Sequence, residues 1–317
     1  MRRCTFGLVM VAVLLGVGSS ATASAEPAGQ YGRIVFVRAR CSETACKWRI
    51  VTATPKDRDE QLLATFPDSA FDDHFIVNPS PHGRRVAFMA YQKIWVMNTD
   101  GSDLHAVFTP PNDGTGVDDS PSFTPDGRHL VFTRCCPEGY GYSLWMISVR
   151  GTHLRDITRE RFVNGDGIGD TTPQVSPDGK QVVFNRCPPN KPCTIAVADM
   201  ATGHIRNLTD PTLDSQQPNW SPDGNRIVFE YHARGGMINI AVVNRWGHHL
   251  QKLTRDTNAA NMDAAYSPNG RWIIFSHYPG TGGSLDIYRM RSDGTNRVAI
   301  TRTPHAHELE PKWMAAR

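Results

Sequence analysis

Past its first 25 residues the chain has no apolar run long enough to span a bilayer, which excludes a bundle of membrane helices. It has no surplus of charge of one sign: 34 Lys and Arg stand against 31 Asp and Glu. Two of those basic residues, Arg2 and Arg3, lie at the extreme start. Such a balance favours neither nucleic acid nor an anionic membrane as a partner. The sequence holds no Gly-x-Ser-x-Gly elbow, no His-Glu-x-x-His and no glycine-rich phosphate loop. The serine-hydrolase, zinc-protease and nucleotide-binding chemistries that depend on those spacings have no visible foothold. Paired Cys-x-x-Cys units are absent too, which argues against a structural zinc site.

What the chain does have begins with a leader. Arg2-Arg3 is followed by an apolar run from Phe6 to Val17 and by Ala23-Ser24-Ala25, a small-residue cleavage site. The pattern predicts a secretory signal peptide over residues 1–25, cut before Glu26, and hence a secreted or periplasmic protein. The run is too short to serve comfortably as an uncleaved anchor. Cys4 would leave with the leader, and six cysteines remain. An even number in an exported chain favours disulfides. Cys41 with Cys46, and Cys187 with Cys193, flank short loops and are expected to pair. The adjacent Cys135 and Cys136 are left open between a strained bridge, free thiols and a bond to another chain.

Residues 26–317 carry a repeat. Ser80-Pro-His-Gly83, Thr124-Pro-Asp-Gly127, Ser176-Pro-Asp-Gly179, Ser221-Pro-Asp-Gly224 and Ser267-Pro-Asn-Gly270 are each followed, five residues after the glycine, by a phenylalanine. Proline fixes φ at the first corner of a turn, and Asp-Gly or Asn-Gly completes the reversal. Short apolar strands flank each turn. Successive repeats lie roughly 45 to 50 residues apart, the period of a propeller blade. A second, shorter turn of the Asp-Gly kind and a Leu-Thr or Ile-Thr ending complete each unit.

The first unit, from Ile34 to Thr65, lacks the strand that enters the Ser-Pro-Asp-Gly turn. The end of the chain supplies one: Pro311-Lys-Trp313 repeats Pro173-Gln-Val175 and Pro218-Asn-Trp220. The expected fold is therefore all-β, a six-bladed β-propeller with four-stranded blades, closed by the C-terminal strand joining the N-terminal blade. The unit Pro-x-aromatic-Ser-Pro-Asp-Gly-x-x-Ile/Val-x-Phe, with its Ile-x-x-Met run and Leu-Thr ending, resembles the TolB-type propeller repeat over residues 31–317. It resembles the propeller of prolyl oligopeptidases as well. Neither the N-terminal α/β domain of TolB nor the hydrolase domain of the peptidases has room here, so the resemblance implies the fold and not those tasks.

The links between blades are longer and more varied than the turns, which makes their end of the ring the expected binding face. They are rich in acids and histidines: Asp72, Asp73 and His74; Asp118 and Asp119; Asp170; Asp214; Asn261 and Asp263; His305, His307, Glu308 and Glu310. Each is placed just before an inner strand, so the set is expected to ring the channel mouth and to bind a polar ligand. An aspartate at such a place equally serves to cap a turn. His74, His305 and His307 belong to neighbouring links and form a possible transition-metal set. No cofactor is expected, although a cation such as calcium would suit a ring of oxygen ligands. The complete repeats and the missing catalytic motifs point to a monomeric binding or scaffold protein for a protein or carbohydrate ligand, not an enzyme. The alternative is a carbohydrate-active lyase or hydrolase using the same acids and histidines.

Overall fold

The computed structural model describes residues 32–42, 46–55, 59–67, 75–107, 117–135, 141–158, 169–232, 236–280 and 282–315. The leader lies outside them, as do Asp72, Asp73, His74 and Cys136. The described residues form six four-stranded antiparallel sheets.

The first sheet holds β1 (Ile34–Cys41), β2 (Cys46–Ala53) and β3 (Gln61–Pro67). The second holds β4 (Val77–Pro79), β5 (Arg85–Ala90), β6 (Lys93–Asn98) and β7 (His105–Ala106). The third holds β8 (Asp118–Phe123), β9 (His129–Cys135), β10 (Tyr142–Ser148) and β11 (Arg155–Asp156). The fourth holds β12 (Gly169–Val175), β13 (Gln181–Cys187), β14 (Thr194–Asp199) and β15 (Ile205–Asn207). The fifth holds β16 (Ser215–Trp220), β17 (Arg226–His232), β18 (Ile238–Asn244) and β19 (Gln251–Lys252). The sixth holds β20 (Ala260–Tyr266), β21 (Trp272–Tyr278), β22 (Asp286–Arg291) and β23 (Val298–Ala299). The last strand, β24 (His307–Trp313), pairs with β1 and becomes the innermost strand of the first blade. This is the closure that the sequence predicts. The outer strands are shorter than the sequence suggests, because their Leu-Thr endings satisfy the chain through side-chain bonds instead. Thr158, Thr209, Thr254 and Thr301 each accept a backbone N–H from the third strand of their blade through Oγ1.

The turns follow their chemistry. In Ser176-Pro-Asp-Gly179 the Ser176 hydroxyl donates to Asp178 Oδ1 at 2.6 Å, Asp178 accepts from Lys180 N–H, and Ser176 Oγ accepts from Gln181 N–H. These bonds hold the Asp178 carboxyl below its usual range. Gly179 sits at φ 72°, where a side chain would be strained. In the second blade Gly83 has φ 62°, and a Cβ there would lie 2.6 Å from the Ala315 carbonyl, so the turn and the chain end approach through a glycine.

The core is a ring of six apolar layers, one between each pair of neighbouring blades. Ile34, Phe36 and Val51 of the first blade pack on Ile274, Ile287 and Trp272 of the sixth. Val35, Val37 and Ile50 pack on Phe88 and Met97 of the second. Four further layers join blades two to three, three to four, four to five and five to six. Phe36, Phe88, Phe132, Phe184, Phe229 and Phe275 are all fully buried, one per blade. Burying each ring is worth on the order of 2 kcal/mol or more.

Candidate functional site: the channel mouth

The inner strands start earlier than the sequence suggests. Asp118, Asp119, Asp170, Asp263, His307, Glu308 and Glu310 lie within them and not in the links before them. The reason is a β-bulge. In each of the third to sixth blades the inner strand shifts register against its neighbour, and β24 meets β1 with the same irregularity. The bulged residues Ser120, Thr172, Gln217, Asp263 and Glu310 all adopt positive φ, between 51° and 60°. A bulge lengthens the strand by one residue, bends it and leaves an N–H off the ladder.

That spare N–H explains much of the polar interior. Thr172 N–H donates to Thr133 Oγ1 at 3.2 Å, Gln217 N–H to Asn185 Oδ1 at 2.8 Å, and Asp263 N–H to Glu230 Oε1 at 2.5 Å. Thr133, Asn185 and Glu230 each follow the core phenylalanine of the preceding blade. Between the sixth and first blades the residue at that position is Ser276, which donates to Asp263 Oδ2 while Glu310 N–H donates to the same oxygen. Between the second and third blades the position holds Met89, which has no acceptor. There Ser120 N–H turns to its own neighbour, Asp119 Oδ1.

The bulge also sorts the predicted acids into two groups. Asp118, Asp170 and Glu308, two residues before a bulged position, are 3% exposed or less. Each faces an arginine across the sheet: Asp118 with Arg134 at 3.3 Å, Asp170 with Arg186 at 3.5 Å, and Glu308 with Arg38 at 2.5 Å. The three arginines stand two residues after Phe132, Phe184 and Phe36. Where the acid is replaced by Asn261, the partner is His277, and Arg297 reaches in to bond both. Burial and the Arg297 charge hold His277 below the usual imidazole range. These pairs join neighbouring strands within a blade, and none of them lines the channel cavity.

The second group does. A cavity of about 720 Å³ opens at the loop-rich mouth and is lined by Asp119, Ser120, Thr172, Gln217, Asp263 and Glu310 together with Glu230, Asn185 and Thr133. Trp48, Phe75, Tyr142 and His232 border it. Asp214 stands at its margin, accepting the Cys193 N–H and lying 3.5 Å from His232. His305 is exposed, and His307 accepts the Leu285 N–H through Nδ1, so neither lines the cavity. Asp73 and His74 lie outside the described residues. No three His, Cys, Asp or Glu side chains among the described residues are arranged to hold a metal ion.

The charges in the cavity are unevenly spread. Glu230, Asp263 and Glu310 come from adjacent blades, the fifth, sixth and first. Lys312, 7% exposed, bonds Glu310 at 3.2 Å. Burial and the Asp263 charge push the Glu230 carboxyl up to about 8, and the same two causes hold Glu310 well above the usual range. On the facing blades stand Ser120 and Thr172, 2% and 6% exposed, whose hydroxyl oxygens have no hydrogen-bond partner among the described residues. Glu230, Lys312 and these two hydroxyls are functional candidates that the link-by-link reading of the sequence passes over. A glutamate in the apolar run Ile227-Val-Phe-Glu-Tyr231 is the signal that would have found the first of them.

The paired loops close as predicted: Cys41 is bonded to Cys46 and Cys187 to Cys193, each at the mouth end of its blade. Cys187 borders the cavity.

Comparison with known proteins fits this architecture. Residues 170–316 match the family model of the TolB beta propeller domain. The chain superposes on TolB from Acinetobacter baumannii with a TM-score of 0.70 at 18% identity, covering 91% of this chain and 68% of that one. The chain is a six-bladed propeller whose second half matches the TolB propeller model. Other propellers in the same structural range have unrelated names. Hydrazine synthase of Kuenenia stuttgartiensis gives a TM-score of 0.66 at 16% identity, covering 89% of this chain and 46% of that one. Oligogalacturonate lyase from Vibrio parahaemolyticus gives 0.50 at 12%, covering 86% and 75%. A search of curated proteins found no match. At such identities the likeness is one of fold, and this propeller must be read from its own mouth.

Proposed function

We propose that the protein is an extracytoplasmic binding propeller that takes a carbohydrate, in preference to a protein, at the mouth of its channel. The observation that carries this reading is the cavity of about 720 Å³, bounded by hydroxyl, amide and carboxyl groups that converge from several blades. Its size falls among small-ligand sites. A protein partner would instead need a broad face of roughly 800 Å² on each side. Hydroxyl and amide groups side by side suit a sugar ring that both donates and accepts hydrogen bonds. Tyr142, 42% exposed at the rim, offers an aromatic face beside them. The two disulfides at the mouth end fit an oxidising compartment, which is where the expected leader would deliver the chain. Among the described residues no helix is long and apolar enough to cross a membrane.

The test is a panel of soluble oligosaccharides titrated calorimetrically into purified protein, repeated with Gln217→Ala. Saturable binding that weakens in the variant, with its melting temperature held, supports the reading. A panel with no binder, alongside capture by a protein partner through the same mouth, would replace it.

A second reading has one observation in its favour. A carboxyl held near 8, Glu230, beside a second carboxyl, Asp263, resembles the acid and base pairs of carbohydrate-active enzymes. Chromatography of each bound saccharide after prolonged incubation decides between them. Product formation abolished by Glu230→Gln would make the protein an enzyme.

A further inference from the structure

We propose that the acidic side of the channel, formed by Glu230, Asp263 and Glu310, receives the ammonium group of an amino sugar whose hydroxyls meet Ser120 and Thr172 on the facing wall. This rests on the carbohydrate reading above and specifies which sugar the mouth would take.

Charge is the first argument. Three carboxyl groups share one buried region, and Lys312 is the cation that the described residues place in contact with them. Buried carboxylates need compensation. In the unliganded protein part of it comes from protons, which is what the raised Glu230 and Glu310 carboxyls mean. A ligand ammonium would take the place of those protons and donate charge-assisted hydrogen bonds to the carboxylates, each worth more than a neutral one. Asp119, His232 and Tyr142 also border the cavity and set its field.

The facing wall is the second argument, and it is independent of the first. Ser120 and Thr172 line the same cavity, and their buried hydroxyl oxygens have no hydrogen-bond partner among the described residues. A buried hydroxyl without a partner costs free energy. The blade order places Ser120 opposite Asp263 and Thr172 opposite Glu310. A ligand that spans the channel must therefore carry a cation at one end and hydroxyl-bonding groups at the other. A lysine side chain has the cation, but its methylene stem offers the two hydroxyls nothing. A bare divalent ion meets no three-carboxylate arrangement among the described residues, and Lys312 would repel it. An amino sugar satisfies both walls.

The experiment is calorimetric titration of the full chain, near neutral pH where part of the amine stays charged and protons compete less for Glu230 and Glu310, with four probes: the glucosamine trimer, its N-acetylated counterpart, the glucose trimer and tri-lysine. The glucosamine trimer should bind at least about tenfold more tightly than the other three, the margin expected for a charged hydrogen bond. Glu230→Gln and Glu310→Gln should each erase about that margin, and Thr172→Val should weaken the glucosamine trimer alone. Glutamine keeps the acceptor for the Asp263 N–H, so the fold is retained; the melting temperature checks it. If the neutral trimers bind as tightly as the glucosamine trimer, or the two glutamine variants bind it unchanged, the ammonium site is refuted and the carbohydrate reading stands. If no saccharide binds, both fall. If tri-lysine binds as well as the glucosamine trimer, the site recognises a basic side chain and the proposal is overturned.

Discussion

Closure of the ring depends on a buried ion pair, and Arg38→Met is its sharpest test. Arg38 lies on β1 and Glu308 on β24, so the pair ties the first complete strand to the last. Arg38 Nε and Nη2 donate to Glu308 Oε1 at 2.9 and 2.5 Å, and Nη1 and Nη2 donate to the two oxygens of Glu60 at 2.7 Å each. Glu308 is fully buried, its Oε2 has no partner, and Thr303 Oγ1 gives its Oε1 one further hydrogen bond at 2.9 Å. Methionine fills the arginine stem but leaves this carboxylate buried with a single neutral donor. Stranding one member of a buried pair costs about 3–5 kcal/mol, a large share of the 5–15 kcal/mol typical of a folded domain. Glu60, largely at the surface, adds little to that figure. Replacing both members, as Arg38→Met with Glu308→Leu, removes the stranded charge and should recover most of the loss. Urea unfolding of the single and double variants measures this directly. If Arg38→Met costs less than about 1 kcal/mol, the buried pair does not hold the ring closed and the reasoning fails.

Three further outcomes follow from the same geometry. Deleting residues 308–317 removes the strand that covers β1 and should lower the melting temperature far more than loss of an ordinary tail; a truncated chain that melts like the full one would refute the closure. Asn185→Ala leaves the Gln217 N–H without its acceptor and should cost about 1–3 kcal/mol by urea unfolding; a loss well below that would contradict the role given to the bulged N–H. Because Glu230 and Glu310 titrate above the carboxylate range when folded, the folded state holds protons that the unfolded chain has released between pH 4.5 and about 8. Stability should therefore fall as pH rises through that window, by up to about 1.4 kcal/mol per pH unit for each group, and Glu230→Gln should flatten the slope. A slope of the opposite sign would contradict the burial of these carboxyls.

The blades were legible because their chemistry is local. Pro177 and Gly179 impose a turn wherever they fall, and Phe184 marks the strand that leaves it. Closure was legible too, since Pro311-Lys-Trp313 has the pattern of an inner strand and the unit from Ile34 to Thr65 lacks one. The site was only partly legible. Asp118, Asp170 and Glu308 look like channel acids, yet a bulge two residues on turns them toward Arg134, Arg186 and Arg38. Those arginines stand two residues after Phe132, Phe184 and Phe36, but their pairing is set by register, which depends on where the inner strand begins. Glu230 was hidden for a related reason. It occupies a position held elsewhere by Val37, Met89, Thr133, Asn185 and Ser276, so no repeat marks it as acidic. Its role follows from the bulged N–H of the next blade, a tertiary fact.

The most direct test of the channel as the ligand site is a crystal structure of the protein grown with the tightest-binding saccharide of the panel. The saccharide should lie inside the mouth, between Asp263 and Glu310 on one side and Ser120 and Thr172 on the other. An ordered saccharide on the Ser-Pro-Asp-Gly face or along the outer strands, with only solvent in the channel, would contradict the account.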